Sequence, residues 1–268
     1  MSSVISPFDG LAPLYRKYRP AFPSETAAYL YDLASQQTTG KNLLDVGVGT
    51  GQVMLACARH FEQMIGIDPD LGMLDEASEA LKPVLAERRL IRLFQSRVED
   101  FTPPEGWKAS LVTFSRSFHW VEQDATLIRL AGMTEPNGLV ALMSDRNFER
   151  CESEWCRAVM ELVRRFLGEP KRLWTATNPH FYREWGDVLK ASPFCDVERA
   201  TFPVERVWTY ETILGYLYST STVAKHQFGD RSGEFEAELK GLLTTLSSED
   251  CFLENDTWEV IVGRKRGD

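Results

Sequence analysis

Through the first half of the chain, short apolar runs alternate with stretches of helical spacing. Leu43 to Val46 reads as a buried strand that leads through Asp45 into a glycine turn, Gly47-Val48-Gly49-Thr50-Gly51. Gln52 to Phe61, with Val53, Leu55, Ala56 and Cys57, suits a short helix packed on a sheet. Met64 to Ile67 is a second strand, and Leu71, Leu74, Ala77 and Leu81 place a helix over 71–81. Strand patterns return at Arg89 to Phe94, at Leu111 to Phe114 and at Leu139 to Met143. A helix over Ala125 to Met133 and the punctuating Pro136-Asn137-Gly138 precede the last of these. Strands alternating with helices predict a parallel sheet covered on both faces. Right-handed crossovers then bring the glycine turn, Asp68 and the segment after Phe114 to one edge of it, where ligands bind in such sheets.

Beyond Ser144 the pattern is less regular. Glu154 to Leu167 is an amphipathic helix with Trp155, Val159, Leu162, Val163 and Phe166 inward, and Tyr182 to Ala191 is another. Val197 to Val207 is strand material interrupted by Pro203. The span from Tyr210 to Leu246 is mainly helical, broken near Gly229 and Gly233. Trp258 to Val262 is a late strand, paired through the Cys251-Phe252 region. These elements divide a single domain, 1–268, into four parts: an N-terminal lid and first helix (1–40), a cofactor-binding core (41–145), a helical cap with its following helix (146–195), and final strands (196–268) with a helical insertion at 210–246.

A chain of 268 residues with 43% apolar content can bury a substantial core. Its 39 acidic and 30 basic side chains leave a formal charge of −9, which argues against a broad nucleic-acid surface. No apolar stretch reaches bilayer length, and the N-terminus lacks signal-peptide character, so no membrane partner is expected. The five cysteines, Cys57, Cys151, Cys156, Cys195 and Cys251, are odd in number and scattered. They suggest buried thiols in a reducing, cytoplasmic setting rather than disulfides or a metal site. A homo-oligomer is compatible with all of this.

The glycine turn and the acid after the second strand carry the candidate chemistry. Glycines lower the steric cost of a sharp strand-to-helix turn and let a ligand approach the backbone. Asp68 stands where a carboxylate can accept hydrogen bonds from ribose hydroxyls, which fits a dinucleotide or S-adenosylmethionine. The spacing departs from the dinucleotide fingerprint, because Gln52 occupies the place of its last glycine. Asp45 places negative charge near the turn, poorly suited to a close diphosphate and well suited to an ammonium. The balance favours S-adenosylmethionine. An NAD-dependent oxidoreductase and a non-catalytic S-adenosylmethionine-binding regulator are the competing readings.

Taken together, Leu44-Asp45-Val46-Gly47-Val48-Gly49-Thr50-Gly51, Gly66-Ile67-Asp68-Pro69-Asp70 with Met73-Leu74, Ser96 to Phe101, Ser115 to Trp120 and Glu135 to Leu139 resemble the class I S-adenosylmethionine-dependent methyltransferases. The likeness is to the small-molecule branch around trans-aconitate methyltransferase and related natural-product enzymes. Tyr18-Arg19-Pro20-Ala21-Phe22-Pro23 is similar to the lid element of that branch, with Phe22 in place of a frequent tyrosine. The resemblance implies a Rossmann-like seven-stranded sheet with helices on both faces and a helical substrate-side cap. It also implies transfer of a methyl group to an N or O nucleophile of a small molecule. Asp45 and the turn residues Gly47, Gly49, Thr50 and Gly51 would surround the methionine portion, with Tyr18 and Arg19 closing over it. Asp68 would hold the ribose, Pro69 or Met73 would flank adenine, Arg97, Val98 and Glu99 would form the adenine-side segment, and Ser115 would approach from the fourth strand.

Methyl transfer from a positively charged sulfur needs alignment more than it needs a metal, and no metal ligand set is expected. His119 is the candidate general base, its alternative role being to brace the cofactor loop. Tyr15, Phe118, Trp120, His180, Trp208 and Tyr218 are candidate acceptor contacts. For His180 a surface capping or packing role is the competing reading, and near Trp208 and Tyr218 the residues Tyr210, Leu214 and Leu217 share one helical face suited to core packing, with Tyr218 beside it.

Overall fold

The computed structural model describes residues 8–85, 90–145, 153–168 and 183–266. Seven strands form one mixed sheet in the order β3-β2-β1-β4-β5-β7-β6. They are β1 (Asn42–Val46), β2 (Gln63–Asp68), β3 (Leu90–Gln95), β4 (Ala109–Ser115), β5 (Thr134–Asp145), β6 (Asp196–Trp208) and β7 (Phe252–Arg264). The first five pair in parallel, with Asp45 in register with Gly66 on one side and Thr113 on the other. Lys265 N–H donates to the Gly138 carbonyl (2.9 Å), which sets the end of β7 beside the beginning of β5 and makes β7 antiparallel. The expectation of a parallel sheet therefore holds for β1 to β5, and β7 makes the whole sheet mixed.

Two compact units divide the chain. The sheet unit comprises Ala21–Ser144, Asn178–Phe202 and Glu259–Asp268, and the helical unit comprises Met1–Pro20, Asp145–Thr177 and Pro203–Trp258. In the sheet unit α2 (Ser24–Gln37), α3 (Gln52–Cys57), α4 (Leu71–Leu85), α5 (Gln123–Met133) and α7 (Trp185–Lys190) accompany the strands. Alternate residues of β1 and β4 point to opposite faces, yet nearly all are buried: Leu43, Leu44, Leu111, Val112 and Phe114 are fully covered. Burial on both faces explains why these strands read as unbroken apolar runs rather than as alternation. One layer of the core joins Leu44, Val46, Val112, Phe114, Val140 and Leu142 to Leu127 and Leu130 of α5 and to Val188 and Leu189 of α7.

The helical unit is built from α1 (Ala12–Tyr18), α6 (Glu154–Leu167), α8 (Tyr210–Tyr218) and α9 (Ser232–Leu246). Trp155, Val159 and Val163 of α6 pack with Ile213 and Leu217 of α8 and with Phe235, Leu239 and Leu243 of α9. Thr209 and Thr212 close a reciprocal cap on α8, each side chain bonding the other's backbone N–H (3.3 and 2.8 Å). Within this unit Arg206 is surrounded by three buried carboxylates, Asp145 (3.0 Å), Glu254 (3.3 Å) and Asp256 (2.6 Å). The Trp208 indole also donates to Glu254, at 2.8 Å.

Several sequence expectations are corrected. Pro203 does not interrupt β6, which runs unbroken from Asp196 to Trp208 at the outer end of the strand order. An edge strand can leave one side of its backbone unpaired, so a residue without an N–H is tolerated there. Phe252 and Trp258 belong to one strand rather than to two paired ones. The break near Gly229 is real, with φ of 55° in a 3-10 segment at Lys225–Arg231, but Gly233 lies inside the first turn of α9. Among the described residues, no helix is long and apolar enough to cross a membrane.

Candidate functional site

β1 and β4 are neighbours at the point where the strand order reverses, and the turns after them form the candidate site in the sheet unit. The turn after β1 is left-handed at each of its glycines, with φ of 70° at Gly47, 52° at Gly49 and 82° at Gly51. Gly47 is needed for space as well as for conformation. A Cβ there would stand 2.5 Å from Cβ of Ser117, which follows β4. Ser117 locks the junction from its own side, its hydroxyl donating to the Val46 carbonyl at 2.6 Å. Gly51 caps α3, and the Gly47 and Val48 amides both bond the Ile67 carbonyl (2.9 and 3.0 Å), holding the turn against the end of β2.

Two carboxylates stand at this edge. Asp68 is 8% exposed, and its two oxygens accept the Gly49 and Asp70 N–H groups, each at 2.9 Å. Burial raises its pKa to about 6 against the opposing pull of those two bonds. Asp45 is 1% exposed and accepts one hydrogen bond, from Thr113 Oγ1 at 2.8 Å. Burial raises its pKa to about 7, and the nearby Asp68 adds to the rise. Four buried oxygens that end or follow β1, β2 and β3, Asp45 Oδ2, Thr50 Oγ1, Asp70 Oδ2 and Glu99 Oε1, have no hydrogen-bond partner among the described residues. Unpaired buried oxygens beside an open glycine turn suit a ligand that brings donors and positive charge. A diphosphate would bring the opposite charge toward Asp45 and Asp68.

The adenine-side candidates follow β2 and β3. The Ser96 amide donates to the Asp68 carbonyl (3.1 Å), which ties the segment Ser96 to Glu99 to the same edge. Val98 is buried, while Arg97 is exposed with its Nε 3.4 Å from Glu99 Oε2. Pro69 is exposed and Met73 is buried, with the Met73 amide donating to Asp70 Oδ1 at 3.2 Å.

Ser115 ends β4 half-buried, and Arg116 follows in the left-handed region with φ of 56°. That reversal leads into the single 3-10 turn Phe118–Trp120. Phe118 is fully buried, edge-on to Phe114 and Trp185 at 5.1 and 5.7 Å, so it anchors the turn in the core. His119 and Trp120 are half-buried, their ring centres 5.0 Å apart. Desolvation lowers the His119 pKa to about 4, which keeps its imidazole neutral at neutral pH.

The other candidates lie in the helical unit. Arg19 sits between the rings of Tyr15 and Tyr216, and Tyr18 packs on α8. Trp208 is buried edge-on to Tyr216 at 5.3 Å. Tyr218 is also buried and donates to Glu236 at 3.0 Å, which together with burial raises its pKa. Both rings belong to the core of that unit. His180 lies outside the described residues. Sequence reasoning missed Thr113, Asp70 and Ser117, which hold Asp45, Asp68 and the Gly47 junction. For Thr113 there is a usable signal, since pairing β1 with β4 sets a hydroxyl opposite the buried acid.

Residues 44–142 match the family described as a methyltransferase domain. A probable S-adenosylmethionine-dependent methyltransferase of Saccharomyces cerevisiae is 26% identical over 130 residues, covering 47% of this chain and 43% of that protein. An uncharacterized methyltransferase of Mycobacterium tuberculosis is 25% identical over 165 residues, covering 62% of this chain and 61% of that one. The chain thus spans less than two thirds of the length of either relative. In fold it is similar to a structure from Anaeromyxobacter dehalogenans assigned, without a demonstrated activity, to the type II methyltransferases. That likeness has a TM-score of 0.67 and 23% identity, and covers 94% of this chain and 100% of that one. The glycine turn, both buried carboxylates and the His119 turn all fall within the segment, residues 44–142, that is similar to a methyltransferase domain.

Proposed function

We propose that the protein transfers a methyl group from S-adenosylmethionine to an N or O nucleophile of a small molecule, a specialised metabolite in keeping with the natural-product branch it resembles. The observation that carries this reading is the buried pair Asp45 and Asp68 on either side of the glycine turn, with Asp45 Oδ2 unpaired among the described residues. When bound, the cofactor supplies a methyl group on a positively charged sulfur, which a lone pair displaces directly. Asp45 would hold the ammonium end, and Asp68 would accept from the ribose hydroxyls with the lone pairs that the Gly49 and Asp70 amides leave over. Pro69, Met73 and the segment Arg97 to Glu99 would flank the base, Ser115 would face the cofactor from β4, and Arg19 beside Tyr18 would meet the carboxylate.

His119 is neutral and weakly basic across neutral pH, which favours alignment of the acceptor over obligatory proton removal. For a hydroxyl acceptor, its imidazole would take the proton as the new bond forms. Trp120, with Phe118 fixing the turn beneath it, would line the acceptor side, joined by Tyr15, His180, Trp208 and Tyr218 as the remaining candidates. The net charge of −9 supports a small acceptor over a nucleic acid. Calorimetric titration with S-adenosylmethionine, S-adenosylhomocysteine and NAD tests the cofactor. Binding of both sulfur compounds and not NAD is expected, and specific NAD binding without them would overturn the proposal. A panel of amines and hydroxyl compounds, followed by mass spectrometry for a gain of one methyl, tests the acceptor class.

A further inference from the structure

Within the sheet unit, the segment after β3 is tied to the glycine turn through Asp68 and to α5 through one arginine. β3 pairs in parallel with β2, with Gln95 in register with Asp68. Beyond that pair the Ser96 N–H donates to the Asp68 carbonyl at 3.1 Å and Gln95 Nε2 to the Pro69 carbonyl at 3.2 Å. The Asp68 carboxylate in turn accepts the Gly49 N–H. The chain then makes one turn, in which the Arg97 carbonyl accepts the Asp100 and Phe101 N–H groups at 3.2 and 3.1 Å. Val98 and Phe101 are buried in the same core layer as Leu127 and Leu130 of α5. Arg129, on that helix, spans the turn. Its Nε donates to the Val98 carbonyl at 3.2 Å and its Nη2 to the Phe101 carbonyl at 2.5 Å, with Thr102 Oγ1 3.5 Å from the same nitrogen. On Glu99, Oε2 lies 3.4 Å from Arg97 Nε, and the buried Oε1 has no hydrogen-bond partner among the described residues.

A guanidinium is a planar fork, and two carbonyls on one fork fix a turn in both position and tilt. A trans peptide is planar, so holding the Val98 carbonyl also sets the Glu99 N–H, which points away from Arg129, and the root of the Glu99 side chain. An unpaired buried carboxylate oxygen suits a ligand amino group, and the 6-amino group of adenine is such a donor. We propose that Arg129 is a positioning residue for base recognition: from α5 it sets the turn 97–101 so that Val98 and Glu99 meet the edge of the adenine. The inference rests on the reading that places Arg97 to Glu99 beside the base. It adds a residue that acts through this segment and does not touch the cofactor. A purely structural clip would weaken every ligand of the site alike, whereas a positioning residue changes how well the site tells one base from another.

The test compares S-adenosylhomocysteine with S-inosylhomocysteine, in which a carbonyl oxygen replaces the 6-amino group and N1 carries a hydrogen. Affinities are measured by calorimetry at pH 8 for the full chain and for Arg129→Met, Arg129→Lys and Met133→Ala. Melting by circular dichroism accompanies each variant. Met133 is buried at the end of α5, so Met133→Ala loosens the helix without removing a bond to the turn. The unsubstituted protein should prefer S-adenosylhomocysteine by about tenfold or more, since the inosine compound offers Glu99 no amino group. Arg129→Met should weaken S-adenosylhomocysteine by about tenfold, leave S-inosylhomocysteine within about twofold, and so largely abolish the preference. Arg129→Lys, which still reaches one carbonyl, should recover part of it, and Met133→Ala should keep all of it. Should Arg129→Met not fold, the Lys variant decides alone: a reduced preference supports the role and an unaltered one overturns it. With Arg129→Met, an equal loss for the two ligands or no loss at all overturns the positioning role, although the adenine-side reading then stands. So does the same fall in preference with Met133→Ala. If the unsubstituted protein binds the two ligands alike, the adenine-side reading fails and the positioning role fails with it.

Discussion

Replacing Asp45 by Asn should make the unliganded protein more stable and the cofactor weaker. Asn has nearly the same shape and still accepts the Thr113 hydroxyl hydrogen bond, but it carries no charge. In the folded protein the Asp45 pKa is raised from 3.8 to about 7, chiefly by burial. Between those values the folded chain keeps a proton that the unfolded chain releases, so stability falls as pH rises through this window. Above pH 7 the penalty is complete. Taken at face value the shift is worth about 4 kcal/mol, and water drawn into the turn would relieve part of it. A gain of about 1 to 4 kcal/mol at pH 8 is therefore expected for Asp45→Asn, shrinking toward zero near pH 4. For a chain of this size that is a rise of several degrees in Tm. Thermal melts of both proteins across pH 4.5 to 8 read this directly. Calorimetry at pH 8 should show S-adenosylhomocysteine binding weakened about tenfold or more. A stability difference that stays flat with pH, or an Asn variant less stable at pH 8, would refute the reasoning.

Other substitutions and conditions give separate checks. Cofactor affinity in the wild type should rise as pH increases through about 6 to 7, because a cationic ligand favours the ionised forms of Asp68 and Asp45. Titrations at pH 7 in buffers of different ionisation enthalpy should show proton release, and pH-independent binding would contradict this. Asp68→Ala should weaken S-adenosylhomocysteine at pH 8, and unchanged affinity there would remove Asp68 from the site. His119→Ala should lower turnover more than cofactor affinity if the imidazole accepts a proton; near-normal turnover leaves alignment as its whole contribution. Arg206→Met should cost about 3 to 5 kcal/mol at pH 7, because Asp145, Glu254 and Asp256 lose their shared cation. Burial already raises the Glu254 and Asp256 pKa values, so the loss should shrink as pH falls; denaturant titrations at pH 5 and pH 7 decide it.

The sheet unit was legible because its strands obey the rule used to read them. β1, β2 and β4 are buried on both faces, and unbroken apolar runs bounded by glycine and helix leave little room for another interpretation. The late strands hide for a physical reason. Along β7, Phe252, Glu254, Asp256 and Trp258 all face inward, so the burial alternates while the hydropathy does not. Two of the four inward positions are acids, and their shared partner Arg206, 48 residues from one and 50 from the other, helps to make them tolerable. Such long-range compensation is invisible in any local window. In the site, the acids and glycines announce themselves through spacing, whereas Thr113 and Ser117 act through strand register and a turn contact, which exist only after folding. Phe118 shows a further limit. Its position after the fourth strand suggested an acceptor contact, but its ring is wholly inside the core.

That placement of Phe118 bears on how the protein could change its chemistry over time. One ring of a three-residue turn is committed to Phe114 and Trp185, while the next two side chains lie half open. Under the proposed reading of the site, mutational drift at 119 and 120 would explore new acceptors at little risk to folding, whereas drift at 118 opens a cavity worth about 3 to 5 kcal/mol. The turn separates heritable novelty from structural necessity at a spacing of one residue. Lineages descended from this chain would be expected to keep an aromatic at 118 while diversifying immediately after it.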